Sequence, residues 1–191
     1  VDRDVAAAAH VLPPPYVAKP VAEGSSVGVV IVAKGATRPP DSIRQIPAIG
    51  NQIMIEHYVA GRELTCGVID DKPTAIIDIV PARKLEFYDY EAKYAPGGSN
   101  HILPAELQAE VTAAIRRHTL VAHRALGCRG VSRADFRYDD TPGGTGEIVC
   151  LEVNTQPGMT GTSLVPELAQ FAGMSFPELV TWIIEDASTD R

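Results

Sequence analysis

Short segments rich in β-branched residues follow one another along this chain, with turns rather than helices between them. Three such segments lie at residues 52–57, 62–70 and 73–80, and residues 70–72 form the turn between the last two. Strands this close in sequence pair antiparallel, since a parallel pair needs a crossover connection of a dozen or more residues. The pattern therefore predicts an antiparallel meander over residues 52–80.

Two further strand pairs are predicted on either side of this region. Residues 16–20 and 27–33 are joined by the polar segment Glu23–Ser26, and residues 130–138 and 147–154 are separated by an Asp-, Pro- and Gly-rich turn. These residue types favour tight turns, so each pair predicts a hairpin.

Helical periodicity is clearest at residues 104–126, where apolar residues recur at spacings of three and four and Gly127 follows the end. Two shorter helices are predicted at residues 164–171 and after Pro177. Residues 86–103 lack periodicity and predict a long loop of the kind often kept for function. The sequence thus predicts an α+β protein.

The charge balance and the cysteines limit the classes of protein to which the chain can belong. Lys and Arg number 17 against 24 Asp and Glu, a net charge of -7 that disfavours binding to nucleic acid. The apolar segments are far shorter than the ~20 residues of a membrane-spanning helix, and no secretory leader opens the chain. Three widely spaced cysteines fit reduced thiols better than disulfides. We expect a soluble, cytoplasmic protein that binds neither nucleic acid nor membrane.

Four polar residues alternate along the two strands of the second predicted hairpin. Arg133 and Asp135 lie two residues apart on one strand, as do Glu152 and Asn154 on the other, so their side chains are expected to converge. Carboxylate and amide oxygens are ligands for Mg²⁺, whose charge would offset the cost of burying them, and Arg133 would face developing negative charge. The alternative is an exposed strand face with one Arg–Asp ion pair, contributing under ~1 kcal/mol.

Two other segments have features of a ligand site. Lys19 precedes the Gly- and Ser-rich residues 23–28, whose N–H groups and hydroxyls can bind phosphate, although an ordinary Gly-Ser turn fits the same pattern. Residues 89–94 place Lys93 and two tyrosines in the predicted long loop. This composition suits a lid over a ligand, and it also suits a solvated surface loop.

Six short motifs occur in a specific order along the chain. They are Lys19-Pro20 with residues 23–28, Glu56 with Gly61-Arg62-Glu63, residues 87–94, Pro104-Ala105, residues 133–136 and residues 152–160. Each motif alone is weak, but together they cover nearly the whole chain, and their order resembles the D-alanine–D-alanine ligase family of ATP-grasp enzymes. The resemblance implies an α+β ATP-grasp fold of antiparallel sheets with flanking helices. Residues 1–60 would belong to the central subdomain and residues 61–191 would form the C-terminal subdomain.

The resemblance also assigns roles in binding ATP. The residues implied are Lys19 and Lys93 for the phosphates under the residue 24–28 loop, Glu56 and the backbone near Val59 for the adenine edge, Glu63 for the ribose hydroxyls, and Phe87 for packing on the adenine ring.

The remaining implied roles concern metal ions and chemistry. The residues implied are Asp135, Glu152 and Asn154 for two Mg²⁺ ions with Mn²⁺ as a substitute, Arg133 and the Gly158 N–H for an oxyanion, Ser163 and Leu164 for the carboxylate of a second D-alanine, and Ser25 and Tyr94 for a hydrogen-bonded bridge. Phosphoryl transfer needs charge neutralisation and alignment more than a protein nucleophile, and these groups meet that need.

In the family that the chain resembles, the carboxylate of one D-alanine attacks the γ-phosphate of ATP, and the amine of a second D-alanine displaces phosphate from the acyl phosphate. The product serves peptidoglycan synthesis and hence cell wall biogenesis and cell shape, and the full-length enzyme is expected to be a homodimer. Family members carry an N-terminal domain ahead of the region resembled here, so we expect a fragment that is inactive alone. The alternatives are another ATP-grasp carboxylate–amine ligase that makes a D-alanyl-X product, and a non-catalytic nucleotide-binding module.

Overall fold

A computed structural model of the protein describes residues 1–23, 26–81 and 99–189. These residues form two compact units. The first contains Val1–Tyr58 and the described part of Pro81–Asn100, and the second contains Val59–Val80 and the described residues from His101 onward. The assignment of residues 1–60 and 61–191 to two functional subdomains stays a prediction.

The first unit is built on a three-stranded antiparallel sheet with the order β2-β1-β3. Its elements are helix α1 (Arg3–Ala8), β1 (Tyr16–Pro20), β2 (Val30–Val32), a 3₁₀ helix (Asp41–Gln45) and β3 (Ile53–His57). The buried core contains Ala6, Tyr16, Ala18, Val32, Ile43, Ile46 and Ile53. The hairpin predicted from residues 16–33 is confirmed, with a shorter second strand. Residues 26–28 form a turn instead, because Ser26 and Gly28 have φ values of 59° and 70°.

The second unit contains most of a five-stranded sheet with the order β6-β5-β4-β7-β8. Its strands are β4 (Arg62–Ile69), β5 (Lys72–Pro81), β6 (Ser99–Ile102), β7 (Val131–Tyr138) and β8 (Ile148–Asn154), and its helices are α2 (Ala109–Ala125), α3 (Leu164–Phe171) and α4 (Phe176–Asp186). Strand β4 pairs antiparallel with β5 and β7, and β7 pairs antiparallel with β8. The hairpin predicted over residues 130–154 is therefore confirmed.

The predicted meander over residues 52–80 is wrong for its first strand. Strand β3 pairs with β1, placing Met54 opposite Lys19 and Glu56 opposite Val17, while β4 pairs with β5 and β7. Ile53 is buried in the core of the first unit, so burial of its apolar side chain favours this pairing. Closeness in sequence therefore predicted the wrong neighbour for β3.

Two predicted boundaries around α2 are also wrong. Residues 99–102, placed in the long loop by the sequence, form β6 at the edge of the sheet. The helix begins at Ala109 rather than Pro104, because the Ala105 N–H donates to the Ile76 carbonyl at 2.8 Å and ties this segment to β5. The predicted end is confirmed, since Gly127 follows the helix with φ 65°.

The helices of the second unit cover apolar cores. Ile115 of α2 packs with Leu64, Cys66, Ala134 and Phe136 of the sheet, while α3 and α4 bury Val165, Ala169 and Leu179 beside Ile69. The predicted helices at residues 164–171 and after Pro177 are confirmed. Among the described residues, none of the helices combines the length and apolarity needed to cross a membrane.

Candidate functional site

Strands β7 and β8 bring four predicted site residues together on one face of the sheet. In their register Arg133 lies opposite Asn154 and Asp135 lies opposite Glu152. We call these four residues the β7–β8 polar cluster. The convergence predicted from the alternation of polar residues along the two strands is confirmed, because paired antiparallel strands place facing residues about 5 Å apart.

Asp135 is the buried carboxylate of the β7–β8 polar cluster, with 8% of its surface exposed. Arg133 Nε donates to Asp135 Oδ1 at 2.8 Å, and Arg133 Nη2 donates to Oδ2 at 2.7 Å. Thr65 Oγ1 on β4 donates to Oδ1 at 2.6 Å. A two-point guanidinium–carboxylate pair is charge-assisted and directional. The carboxylate is therefore held in place before any ligand arrives.

Asn154 lies between the two carboxylates of the cluster. Its Nδ2 is 3.3 Å from Asp135 Oδ2 and 3.4 Å from Glu152 Oε1, both long for N–H···O hydrogen bonds. A turn of the amide plane by about 180° would place the Asn154 oxygen where the nitrogen lies, since the two groups are nearly isosteric. The amide can thus serve either as donor to the carboxylates or as a third oxygen ligand.

The donor set of the cluster fits a hard divalent cation. Glu152 is exposed, Asp135 is held by Arg133, and Asn154 can present its oxygen, which together are the ligand types of Mg²⁺. No group of three or more His, Cys, Asp or Glu side chains that could hold a metal ion lies within residues 1–23, 26–81 or 99–189. A cation here would therefore need the Asn154 oxygen, water or substrate phosphate to complete its shell.

Cys150 lies on β8 two residues before Glu152 and is an exposed residue. Burial raises the pKa of the Cys150 thiol, and the negative charge of Asp135 raises it further. A thiol with a raised pKa stays protonated at neutral pH and is a poor nucleophile. Cysteine chemistry is thus not favoured beside the cluster.

In the first unit, two residues predicted to bind different parts of ATP form an ion pair. Lys19 Nζ on β1 lies 2.6 Å from Glu56 Oε2 on the neighbouring strand β3. Both side chains are partly exposed, at 24% and 36%, so either can reach a ligand from the solvent side. The pair directs the lysine ammonium group toward the glutamate carboxylate.

Glu63 and Val59, predicted to bind the ribose and the adenine edge, lie together in the second unit. Both contact Arg137 of β7, a residue that the sequence analysis missed. The signal was present, because Arg137 continues the alternating series that singled out Arg133 and Asp135. It was overlooked because its partner strand, β4, was not known to be its neighbour.

Gly158, Ser163 and Leu164 lie at the beginning of α3. Thr160 N–H donates to Ser163 Oγ at 2.9 Å, and a side chain at Gly158 would bring a Cβ to 2.9 Å from the same oxygen. The Gly158 backbone therefore lies against the Ser163 hydroxyl, and Leu164 is the first residue of the helix. These three predicted residues are brought together.

Four predicted site residues lie outside the described residues: Ser25, Phe87, Lys93 and Tyr94. The roles assigned to them, and the lid predicted from residues 89–94, stay predictions.

Comparison with known proteins places the whole chain in one family. A family model described as "D-ala D-ala ligase C-terminus" matches residues 2–185. The chain is 60% identical over 192 residues to a D-alanine–D-alanine ligase of Methylobacterium radiotolerans and 60% identical to one of Rhodopseudomonas palustris, covering 100% of this chain and 62% of each relative. The chain thus spans about three fifths of the length of these curated relatives.

Solved structures give the same result for the fold. A crystal structure of D-alanine–D-alanine ligase from Bacillus anthracis matches with a TM-score of 0.69 and 34% identity over 91% of this chain and 54% of that one. A second crystal structure of that ligase, complexed with ATP, matches with a TM-score of 0.67 and 34% identity over 91% of this chain and 53% of that one. The predicted α+β ATP-grasp fold is confirmed. The matched family model, the relatives and the fold agree, and the chain belongs to the D-alanine–D-alanine ligase C-terminal family.

Proposed function

We propose that this chain supplies the nucleotide- and metal-binding part of an ATP-dependent ligase that joins two D-alanines through an acyl phosphate. The observation that carries the proposal is the convergence of Arg133, Asp135, Glu152 and Asn154 on β7 and β8 in a chain of this family. The product would enter peptidoglycan synthesis in the cytoplasm, where ATP is available and reduced cysteines are stable.

The proposed roles in binding ATP belong to Lys19, Glu56 and Glu63. Lys19 would bind a phosphate through its ammonium group after leaving Glu56, which would then be free to accept from the adenine amino group. Glu63 would accept hydrogen bonds from the ribose hydroxyls. On binding, Lys19 and Glu56 would exchange their ion pair for contacts with the phosphate and with the adenine amino group.

The β7–β8 polar cluster would hold the triphosphate end. Asp135, Glu152 and the turned amide of Asn154 are the residues that would hold Mg²⁺, which when bound neutralises phosphate charge. Arg133 would remain fixed by Asp135 and direct a donor toward the oxygen that becomes negative during acyl transfer. The Gly158 N–H would donate to the same oxygen.

The second D-alanine is assigned to the beginning of α3. Ser163 would donate its hydroxyl to the amino acid carboxylate, and the N–H of Leu164 lies in the first turn, where helix N–H groups have no intrahelical acceptor. Thr160 already donates its N–H to Ser163 Oγ, which fixes the position of the hydroxyl oxygen. The carboxylate would thereby be fixed with its amine free to attack.

Turnover tests the proposal in a chimeric protein in which this chain replaces the matching 192 residues of the Methylobacterium radiotolerans ligase. We expect D-alanine-dependent release of phosphate and formation of D-alanyl-D-alanine. Glu152→Gln should lower kcat by about 100-fold, the order seen when a group that stabilises transition-state charge is removed. Glu185→Gln, the same change on the exposed part of α4, is the matched control and should leave kcat unchanged.

Three results would contradict the proposal. An active chimera that prefers D-lactate, or an amine other than D-alanine, as second substrate would support a D-alanyl-X ligase instead. A chimera that binds ATP without turnover would support a non-catalytic nucleotide module. Full activity of Glu152→Gln would remove the cluster from the reaction.

A further inference from the structure

A buried arginine lies beside the residues assigned to the nucleoside half of ATP. Arg137 on β7 stands directly opposite Glu63 on β4, and the two side chains are only 12% and 11% exposed. A guanidinium and a carboxylate removed this far from water are costly unless each has partners. The partners of the Arg137 side chain therefore indicate its role in the structure.

The Arg137 guanidinium contacts three groups that lie within residues 59–63. Nε donates to the Val59 carbonyl at 3.0 Å, Nη2 donates to the Gly61 carbonyl at 2.9 Å, and Nη1 lies 3.7 Å from Glu63 Oε2. The N–H groups of arginine diverge from one rigid plane. One side chain thus fixes the Val59–Gly61 backbone and the Glu63 carboxylate relative to each other.

The same backbone is also restrained by the residue after Arg137. Gly61 has φ 86°, and a Cβ at this position would overlap the Tyr138 carbonyl oxygen. Only glycine fits this close approach without strain. Residues 137 and 138 of β7 therefore hold the segment 59–61 both by hydrogen bonds and by contact.

We propose that Arg137 is a positioning residue for nucleoside recognition, which holds Glu63 and the Val59–Gly61 backbone in the geometry that binds ribose and adenine. The inference rests on the proposed function, because Glu63 and Val59 must contact ATP. Arg137 itself donates to the protein and not to the nucleotide. Its positive charge beside Glu63 stabilises the ionised carboxylate that accepts from the ribose hydroxyls.

The test compares ATP with 2′,3′-dideoxy-ATP, which lacks the hydroxyls that Glu63 would bind. In the ligase chimera, the ratio of kcat/KM for the two nucleotides measures ribose recognition independently of the fraction of active enzyme. We expect Glu63→Gln to lower this ratio about tenfold, the order of a lost charge-assisted hydrogen bond. Arg137→Met should lower it by a similar factor through a raised KM for ATP, while kcat and the KM for D-alanine change less than twofold.

Two further variants separate positioning from general stability. Arg137→Lys keeps the charge beside Glu63 but cannot reach both carbonyls, so it should recover part of the ratio. Arg116→Met is the matched control, because Arg116 also donates to a backbone carbonyl, that of Pro73, from the exposed side of α2. This control should leave the ratio unchanged.

The outcomes distinguish the inference from the proposed function. If Glu63→Gln lowers the ratio and neither Arg137 variant does, the inference is overturned and the proposed function stands. If the Arg137 variants lower kcat/KM equally for both nucleotides, Arg137 supports the fold alone and the inference is also overturned. If the unsubstituted chimera shows no ATP-dependent turnover, the proposed function fails and the inference fails with it.

Discussion

Replacing Asp135 with asparagine isolates the charge of the buried carboxylate in the β7–β8 polar cluster. Asparagine has the same shape but keeps one acceptor oxygen, and its NH₂ group would face a donor of Arg133. The substitution therefore removes one of the two charge-assisted hydrogen bonds from Arg133, at 2.8 and 2.7 Å, and removes the negative charge of Asp135 that faces the guanidinium.

The size of the effect follows from burial. The side chains of Arg133 and Asp135 are 17% and 11% exposed, so water replaces the lost interaction only in part. A charge-assisted hydrogen bond contributes about 1.5–3 kcal/mol, and a charge left unpaired in a buried site costs about 3–5 kcal/mol. Since Arg133 retains some exposure, we expect Asp135→Asn to lower the free energy of unfolding by about 3 kcal/mol.

Equilibrium unfolding in urea, followed by fluorescence of Trp182, measures this change. Trp182 is the only tryptophan of the chain and packs beside the α3–α4 core of the second unit. Asp70→Asn is the matched control, because Asp70 pairs with Lys72 at 2.7 Å at an exposed turn and should contribute under about 1 kcal/mol. Equal losses for the two variants would refute the reasoning, because Asp135 would then behave as an exposed ion pair.

Three further changes have expected outcomes. Gly61→Ala should destabilise the second unit by about 2 kcal/mol or more in the same urea assay, because φ is 86° and its Cβ would overlap the Tyr138 carbonyl oxygen. A loss below about 0.5 kcal/mol would contradict this prediction. Burial lowers the pKa of His123 below 6.5, so the folded state binds protons less readily than the unfolded state. The free energy of unfolding should therefore fall as pH drops below about 6.5. His123→Gln should abolish this dependence of the unfolding free energy on pH. Hydrogen bonds from Thr141 and Thr145 lower the pKa of Asp139 to about 2. The contribution of Asp139 to stability should therefore be present above pH 3.8 and be lost as pH falls toward 2. An NMR titration of the Asp139 carboxyl group with a midpoint near 3.8 would show the prediction to be wrong.

Local patterns were enough to predict the elements that carry the β7–β8 polar cluster. The alternation of Arg133 with Asp135 and of Glu152 with Asn154 needs only the two-residue period of a strand and one hairpin to bring the side chains together. The structure has both the strand alternation and the hairpin, in which Asp135 lies opposite Glu152. This part of the site was predictable because its determinants lie within 22 residues of sequence, from Arg133 to Asn154.

Pairings between distant segments could not be predicted from local patterns. The position of β3 beside β1 depends on the core of the first unit. The contact of Arg137 with Glu63 depends on β7 lying next to β4, and these two residues are 74 positions apart in the sequence. Hydrophobic periodicity identifies the face of a strand but not its neighbour. The late start of α2 has the same origin, since the extended segment before it is held by a hydrogen bond from Ala105 to Ile76.

The central claim is that Asp135, Glu152 and Asn154 together hold the cation that accompanies ATP. A crystal of the ligase chimera grown with ADP and Mn²⁺, and measured at a wavelength where manganese scatters anomalously, locates the metal without reference to the protein. We predict an anomalous peak within about 2.0–2.4 Å of oxygens of Asp135 and Glu152, with the Asn154 amide turned so that its oxygen faces the metal. Bound ADP with manganese more than about 4 Å from all three side chains would contradict the account.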